Sequence, residues 1–144
     1  MKQLTVGFVF DETLTKVLLV HKQKPDWQVG KLNGMGGKVE DNESPTECMS
    51  RECLEETCLD IAVDAWTKFA TIKEEEGGRD KAVDFFAASF SGPLTDARKG
   101  DYEEVEWFTH NQLPDNCIQN LYFLIPMARE TLRGHSAKKI TIEY

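Results

Sequence analysis

Gly37-Lys38-Val39-Glu40-Asp41-Asn42-Glu43-Ser44-Pro45-Thr46-Glu47-Cys48-Met49-Ser50-Arg51-Glu52-Cys53-Leu54-Glu55-Glu56-Thr57-Cys58-Leu59 is the stretch on which the fold and chemistry of this chain turn. Ser44-Pro45 opens a helix: serine suits the N-cap, proline suits the first turn, and Glu47, three residues after Ser44, completes a capping box. The helix is predicted to run to about Thr57. Glu52, Glu55 and Glu56 are three and four residues apart, so their carboxylates point to one side. Three converging carboxylates form an oxygen-rich site suited to a hard divalent cation such as Mg²⁺. Arg51, turned about 100° from Glu52, is placed to fork onto the loop carboxylate Glu43 and tie loop to helix. Gly36-Gly37 lets the backbone approach phosphate and metal where a Cβ would obstruct. Between Glu40 and Glu56 seven carboxylates face one base, Arg51. Such a run is commonly a solvated helix face. Here no alternation with lysine relieves the repulsion, and a multivalent cation would.

Outward from this stretch, Thr5–Phe10 and Lys16–His21 read as strands joined by a polar turn at Asp11-Glu12-Thr13. Lys22–Gly37 has no period and contains Pro25, Gly30, Gly34, Gly36 and Gly37, which predicts a loop. Ile61–Val63 and Trp66–Glu74 read as strands, and Gly77-Gly78 as a hairpin tip leading into Lys81–Phe90. Glu103–Thr109 is a further short strand. Asn116–Arg133 carries Ile118, Leu121, Tyr122, Ile125, Ala128 and Leu132 at helical spacing; Pro126 should kink or break that helix, and Gly134 ends it. Ile140–Tyr144 is read as a terminal strand. Strands at both ends with two long helices predict an α/β fold, a mixed sheet between helices in an α/β/α sandwich.

Size and composition narrow the classes. The 144 residues fit one domain spanning 1–144, and 40% hydrophobic with 29% charged content argues against disorder and against a membrane protein. The start of the chain is unlike a signal peptide and no apolar stretch is long enough to span a membrane, so a cytoplasmic protein is expected. Cys48, Cys53 and Cys58, five residues apart, spiral around a helix, a poor arrangement for disulfides or zinc; reduced thiols are expected. The net charge of −8 works against a nucleic-acid polymer as partner.

The glycine, the glutamates and the arginine at these offsets resemble the Nudix box, G-x5-E-x7-R-E-U-x-E-E-x-G-U, with U a bulky aliphatic residue. Gly37, Glu43, Arg51, Glu52, Glu55 and Glu56 match; Cys53 stands at an aliphatic position and Cys58 at a glycine. Six such positions recur by chance about once in 10⁶ to 10⁷. The run Trp27-Gln28-Val29-Gly30-Lys31-Leu32-Asn33-Gly34-Met35-Gly36-Gly37-Lys38 resembles the MutT-like Nudix enzymes that clear oxidised purine nucleoside triphosphates. There the residue matching Asn33 contacts the base and an aromatic near Trp27 lines the pocket. That subgroup has paired aspartates where this chain has Gln119 and Asn120. Glu103-Glu104-Val105-Glu106-Trp107-Phe108 is similar to a late acidic–Trp stretch, in which a glutamate, Glu103 or Glu104, adds a metal contact or a general base.

The resemblance implies hydrolysis of a phosphoanhydride by water, with Mg²⁺ (Mn²⁺ can substitute) neutralising phosphate charge and aligning the attack. Glu52, Glu55 and Glu56 are the expected metal ligands, Glu52 also a candidate base, and Glu43 and Arg51 their supports. Glu103 is the expected late acid. Asn33, Lys38, Trp27, Asn120, Gly36 and Gly37 are the candidate substrate contacts. Phe69, Phe85 and Phe86 are assigned to the core, and His21, His110 and His135 to no role. A purine nucleoside triphosphate, ordinary or oxidised, is the expected substrate, cleaved to monophosphate and pyrophosphate by a monomer or homodimer. A hydrolase of ADP-ribose or another nucleoside diphosphate derivative is the runner-up, although its marker proline or tyrosine after the box is missing. A non-catalytic nucleotide-sensing module is the third reading; such modules usually lose box carboxylates.

Overall fold

The computed structural model describes residues 1–135 and 140–143. Its strands are β1 (Lys2–Asp11), β2 (Lys16–His21), β3 (Leu32–Asn33), β4 (Met35–Lys38), β5 (Thr67–Glu76), β6 (Arg79–Phe90), β7 (Val105–Thr109) and β8 (Ile140–Glu143). The helices are α1 (Pro45–Thr57) and α2 (Leu121–Leu132). The strands form one mixed sheet in the order β3-β2-β1-β6-β5-β8, with β4 also paired to β1 and β7 to β2.

β1 organises this sheet. Its edge is divided: Leu4–Gly7 pair antiparallel with β4, Val9 and Phe10 pair antiparallel with β2, and β6 runs parallel along the other side. The central strands are buried on both faces, so they read as unbroken apolar runs. Period-two alternation then divides them between two cores. Phe8, Phe10, Val17, Leu19, Phe85 and Ala87 face α2, where Leu121, Leu124, Ile125 and Ala128 are buried. Val9, Leu18, Val20, Phe86 and Ala88 face α1 and meet Met49 and Cys53. Each large apolar side chain so buried contributes roughly 1.5–3 kcal/mol before entropy costs. The Gly77-Gly78 tip is present, with φ of 59° and 78° as a two-residue hairpin turn requires. Among the described residues no helix is long and apolar enough to cross a membrane.

Several local expectations change. The glycine-rich run before the box is not all loop. Met35–Lys38 is a strand, because Gly36 lets β4 lie so close to β1 that a Cβ there would sit 1.9 Å from the Thr5 carbonyl oxygen. Ile61–Val63 is not a strand; Ile61 drops into the α1-side core and Val63–Ala65 forms a single 3-10 turn. β7 begins at Val105, two residues later than expected. The last helix begins at Leu121 instead of Asn116, since Leu32 bridges Cys117 and holds the preceding segment extended. Pro126 lies within α2 without breaking it. Tyr144, the expected end of the last strand, lies outside the described residues.

α1 begins as its sequence requires. Ser44 Oγ accepts the Glu47 amide at 3.1 Å, and the Glu47 carboxylate accepts the Ser44 amide at 2.8 Å. It ends on Cys58 in the left-handed region, φ 65° and ψ 8°, where the Nudix pattern has glycine. That conformation costs a side-chain-bearing residue about 1–2 kcal/mol. Cys58→Gly is therefore expected to stabilise the protein by about 1 kcal/mol after the added freedom of the unfolded chain is subtracted. Urea denaturation measures this, and a destabilised variant would show that the Cys58 contact with the Lys99 carbonyl oxygen matters more than the backbone.

Candidate active site

Arg51 sits at the centre of the site. Its Nε and Nη2 donate to the two Glu43 oxygens at 3.0 and 2.7 Å, forming the expected fork from helix to loop. Nη1 donates to Glu52 Oε1 at 3.0 Å and reaches Glu55 Oε2 at 3.3 Å, while Nη2 also meets the Lys38 carbonyl oxygen at 3.3 Å. Hydrogen bonding to Arg51 holds the Glu43 carboxyl at about 2, well below its ordinary 4.5.

Glu52 and Glu56 lie side by side one turn apart and face the glycines. Gly36 donates its amide to Glu56 Oε2 at 3.0 Å, and a Cβ on Gly37 would fall 2.5 Å from Glu52 Oε1. Burial pushes the Glu56 carboxyl up to about 8; nearby Lys22 opposes the rise and the adjacent Glu52 adds to it. Glu55 does not complete the expected triad. Its carboxylate turns to Arg51, and among the described residues no three His, Cys, Asp or Glu side chains form a group able to hold a metal ion. The pair that remains still suits a hard cation. Two oxygen donors beside a backbone cradle match Mg²⁺, which binds through one or two carboxylates and keeps several waters.

A cleft of about 560 Å³ runs from this backbone cradle to the start of α2. Gly36 and Gly37 line one part, and Asn33, Asn120, Trp27 and Gln28 another, with Phe85 and Ile118 as apolar wall. Phe85 thus serves both core and cleft. Trp27 stands 63% exposed on the 3-10 turn Asp26–Gln28, a free face for a flat ring. Asn33 is largely committed within the chain: its Nδ2 donates to Gln28 Oε1 at 3.1 Å, and its Oδ1 accepts the Gly34 amide at 2.8 Å. Asn120 differs. It stands at the N-terminus of α2 but makes no side-chain cap, and its buried Oδ1 has no hydrogen-bond partner among the described residues.

Other candidates fall elsewhere. Lys38 is exposed and lies outside the cleft lining. Glu103 is 5% exposed and bound to Lys22 Nζ at 3.3 Å and to the Gln23 amide, so it braces the β2 exit instead of facing solvent. Glu104 is exposed, 3.8 Å from Lys99. Gln119 is exposed and does not line the cleft. His21 pairs with Glu106 and His135 with Glu130 on the surface. The four cysteines are free, and burial pushes Cys48 to about 11 and Cys53 to about 12, which keeps both protonated at neutral pH. Lys22 was not legible as a site residue: it simply follows the Val17–Val20 run, yet it lines the cleft and neighbours Glu56.

A mixed sheet between two helices, with a glutamate-bearing helix against a glycine-rich strand, defines an α/β/α sandwich with a carboxylate site. Residues 1–125 match the NUDIX domain, and the chain belongs to that family. Over 100 residues it is 32% identical to the oxidized purine nucleoside triphosphate hydrolase of Danio rerio, a match covering 67% of this chain and 61% of that protein. A solved Nudix hydrolase from Nitrosomonas europaea superposes with a TM-score of 0.76 at 21% identity, covering 99% of this chain and 79% of that one. The NUDIX domain of Shewanella oneidensis NrtR, solved with ADP ribose, gives 0.72 at 19% identity, covering 90% and 87%.

The depressed Glu43 carboxyl makes a stability statement. A folded-state value of about 2 against an ordinary 4.5 means that the stabilisation is complete above pH 4.5 and is lost as pH falls towards 2. In Glu43→Gln this part of the acid sensitivity should vanish. Melting temperature measured from pH 6 to 2 checks it, and parallel wild-type and variant curves would refute the assignment.

Proposed function

We propose that the protein hydrolyses a purine nucleoside triphosphate to monophosphate and pyrophosphate, with Mg²⁺ held by Glu52 and Glu56. One observation carries this reading: a single cleft joins a buried Asn120 amide oxygen, unpaired among the described residues, to the glycine cradle against which that carboxylate pair lies. The amide oxygen needs a donor, which a base edge would supply, and the carboxylate pair suits a cation. The 32% identity to an oxidized purine nucleoside triphosphate hydrolase supports the same substrate class.

Each residue then has a task. Trp27 and the Phe85–Ile118 wall sandwich the base, and Asn120 Oδ1 accepts an N–H from it. Asn33, already tied to Gln28 and Gly34, shapes the pocket floor. Arg51 and the Gly36 amide each hold one carboxylate oxygen, of Glu52 and of Glu56, leaving the other oxygens for cation and water. Glu55 is the reserve ligand, reached by giving up its Arg51 contact. Lys22, anchored by buried Glu103, offsets negative charge beside Glu56. Glu52 accepts the proton of the attacking water. When bound, Mg²⁺ neutralises charge on the phosphate oxygens and assists the displacement.

Glu56→Gln keeps the shape but removes the charge that the carboxyl takes on when it binds a cation. Turnover should fall at least about a hundredfold, the scale of a lost major electrostatic contribution. Its thermal stability should hold or rise, because a buried carboxyl is replaced by a neutral amide. Product release from a nucleotide panel with and without Mg²⁺ tests the whole reading, and efficient hydrolysis without a divalent cation, or ADP-ribose far preferred over every triphosphate, overturns it.

The amides separate by a second measurement. Leaving a base edge unmatched costs about 1–3 kcal/mol, so purine preference over pyrimidine should be roughly ten- to a hundredfold in kcat/KM. Asn120→Ala should erase most of it while metal dependence persists. A variant that keeps wild-type selectivity removes Asn120 from base reading.

A further inference from the structure

A second hollow adjoins the cleft, and its lining residues have no task under Proposed function, although Lys38 among them is an expected substrate contact. It encloses about 690 Å³ and is lined by Lys2, Lys38, Arg79 and Lys81, with Asp80 the one acid among its lining residues. Lys2 and Lys81 line both spaces, so the two are neighbours. Four cations gathered at one end of a chain of net charge −8 form a local reversal of sign. The strands fix their positions: Lys2 stands opposite Lys81 across β1 and β6, and Lys38 stands opposite Leu4 across β4 and β1. Lys81 is paired with Glu74 at 3.1 Å. Among the described residues no ion pair or hydrogen bond engages the side chains of Lys2, Lys38 or Arg79.

β4 gives this hollow its direction. Asn33 precedes it, Gly36 and Gly37 pass Glu56 and Glu52, and Lys38 ends it. At about 3.3 Å per extended residue, Asn33 to Lys38 spans about 16 Å, room for a nucleoside and an extended phosphate chain end to end. A molecule with its base at Asn120 and its reacting phosphorus at the carboxylates carries its far end towards these cations. Lysine supplies a point charge and arginine a planar fork, both suited to phosphate oxygens.

We propose that the hollow is an anion subsite for the distal phosphates of the substrate, selecting nucleosides with three or more phosphates over diphosphate derivatives that end in an uncharged sugar. This rests on the orientation given under Proposed function, but the subsite can be tested separately. The probe is inorganic tripolyphosphate, titrated calorimetrically in chelator at low ionic strength. The proteins are wild type, Lys2→Gln/Arg79→Gln, and the charge-keeping Lys2→Arg/Arg79→Lys. All substituted side chains are exposed, and a thermal melt confirms folding.

Wild type should bind, the glutamine pair should bind at least about tenfold more weakly, and the charge-keeping pair should recover most of the loss. In turnover, wild-type kcat/KM should climb from nucleoside di- to tri- to tetraphosphate, and the glutamine pair should flatten that climb. Equal tripolyphosphate binding by wild type and the glutamine pair, or none by wild type, overturns the subsite. If tripolyphosphate binds by charge but no triphosphate is hydrolysed, the substrate reading falls and the subsite stands. If triphosphates are hydrolysed equally by wild type and the glutamine pair, the subsite alone falls.

Discussion

Arg51 is the one base among the seven carboxylates from Glu40 to Glu56, and its N–H groups are distributed over everything that must be held together there. Two go to Glu43, which fixes the loop; others go to Glu52 and Glu55 on its own helix and to the carbonyl oxygen of Lys38 at the end of β4. A lysine could satisfy one of these partners at a time, whereas the planar fork serves loop, helix and strand at once. Both Arg51 and Glu43 are largely covered, with 27% and 15% of their side chains exposed, so removing either leaves the other poorly solvated. The consequence reaches the site directly. With Glu52 Oε1 anchored by Arg51 and Glu56 Oε2 by the Gly36 amide, the two carboxyl groups stay adjacent although burial and the neighbouring Glu52 raise the cost of ionising Glu56.

The close approach of β4 to β1 is the second constraint, and it explains the largest misreading of the sequence. Glycine clusters normally announce loops, because glycine disfavours regular structure on entropic grounds. Gly36 and Gly37 are in a strand because their faces have no room for a side chain, one blocked by the Thr5 backbone and the other by Glu52. Nothing local in the sequence distinguishes a glycine needed for φ from one needed for space. The helix start, by contrast, was fully legible: its capping box depends on Ser44, Pro45 and Glu47 alone. The start of α2 was not, since the Leu32–Cys117 bridge that delays it joins residues 85 positions apart.

Site residues follow the same division. Arg51 and Glu43 could be paired from spacing, because both sit on or beside one helix whose geometry is known in advance. For Glu52, Glu55 and Glu56 spacing fixes the Cβ direction but not the rotamer, and Arg51 draws the Glu55 carboxylate to itself. Glu103 illustrates a long-range effect: two acids in succession look equivalent in sequence, but the register of β7 against β2 puts one under Lys22 and leaves the other in solvent. Asn33 and Asn120 were indistinguishable as amides. The hydrogen bonds of Gln28 and Gly34 occupy the first, and the failure of the second to cap α2 leaves its oxygen without a donor among the described residues.

An acidic protein that binds a polyanion must resolve an electrostatic conflict, and here the charges are separated along one axis. The carboxyl groups are partly buried and adjacent at the glycines, where desolvation raises Glu56 to about 8 and a cation would favour its charged form. Lys22 stands on one side of them, held by Glu103 and not by the carboxylates it faces. Beyond the glycines the sign reverses on the exposed ends of β1, β4 and β6. A phosphate chain laid on this axis would meet negative charge only where a divalent ion intervenes. The remaining acids lie mostly on exposed surface, where solvent and salt screen them over about 8–10 Å. The net charge of −8 therefore says little about the field inside the cleft, which is set by a handful of residues whose partners the fold assigns.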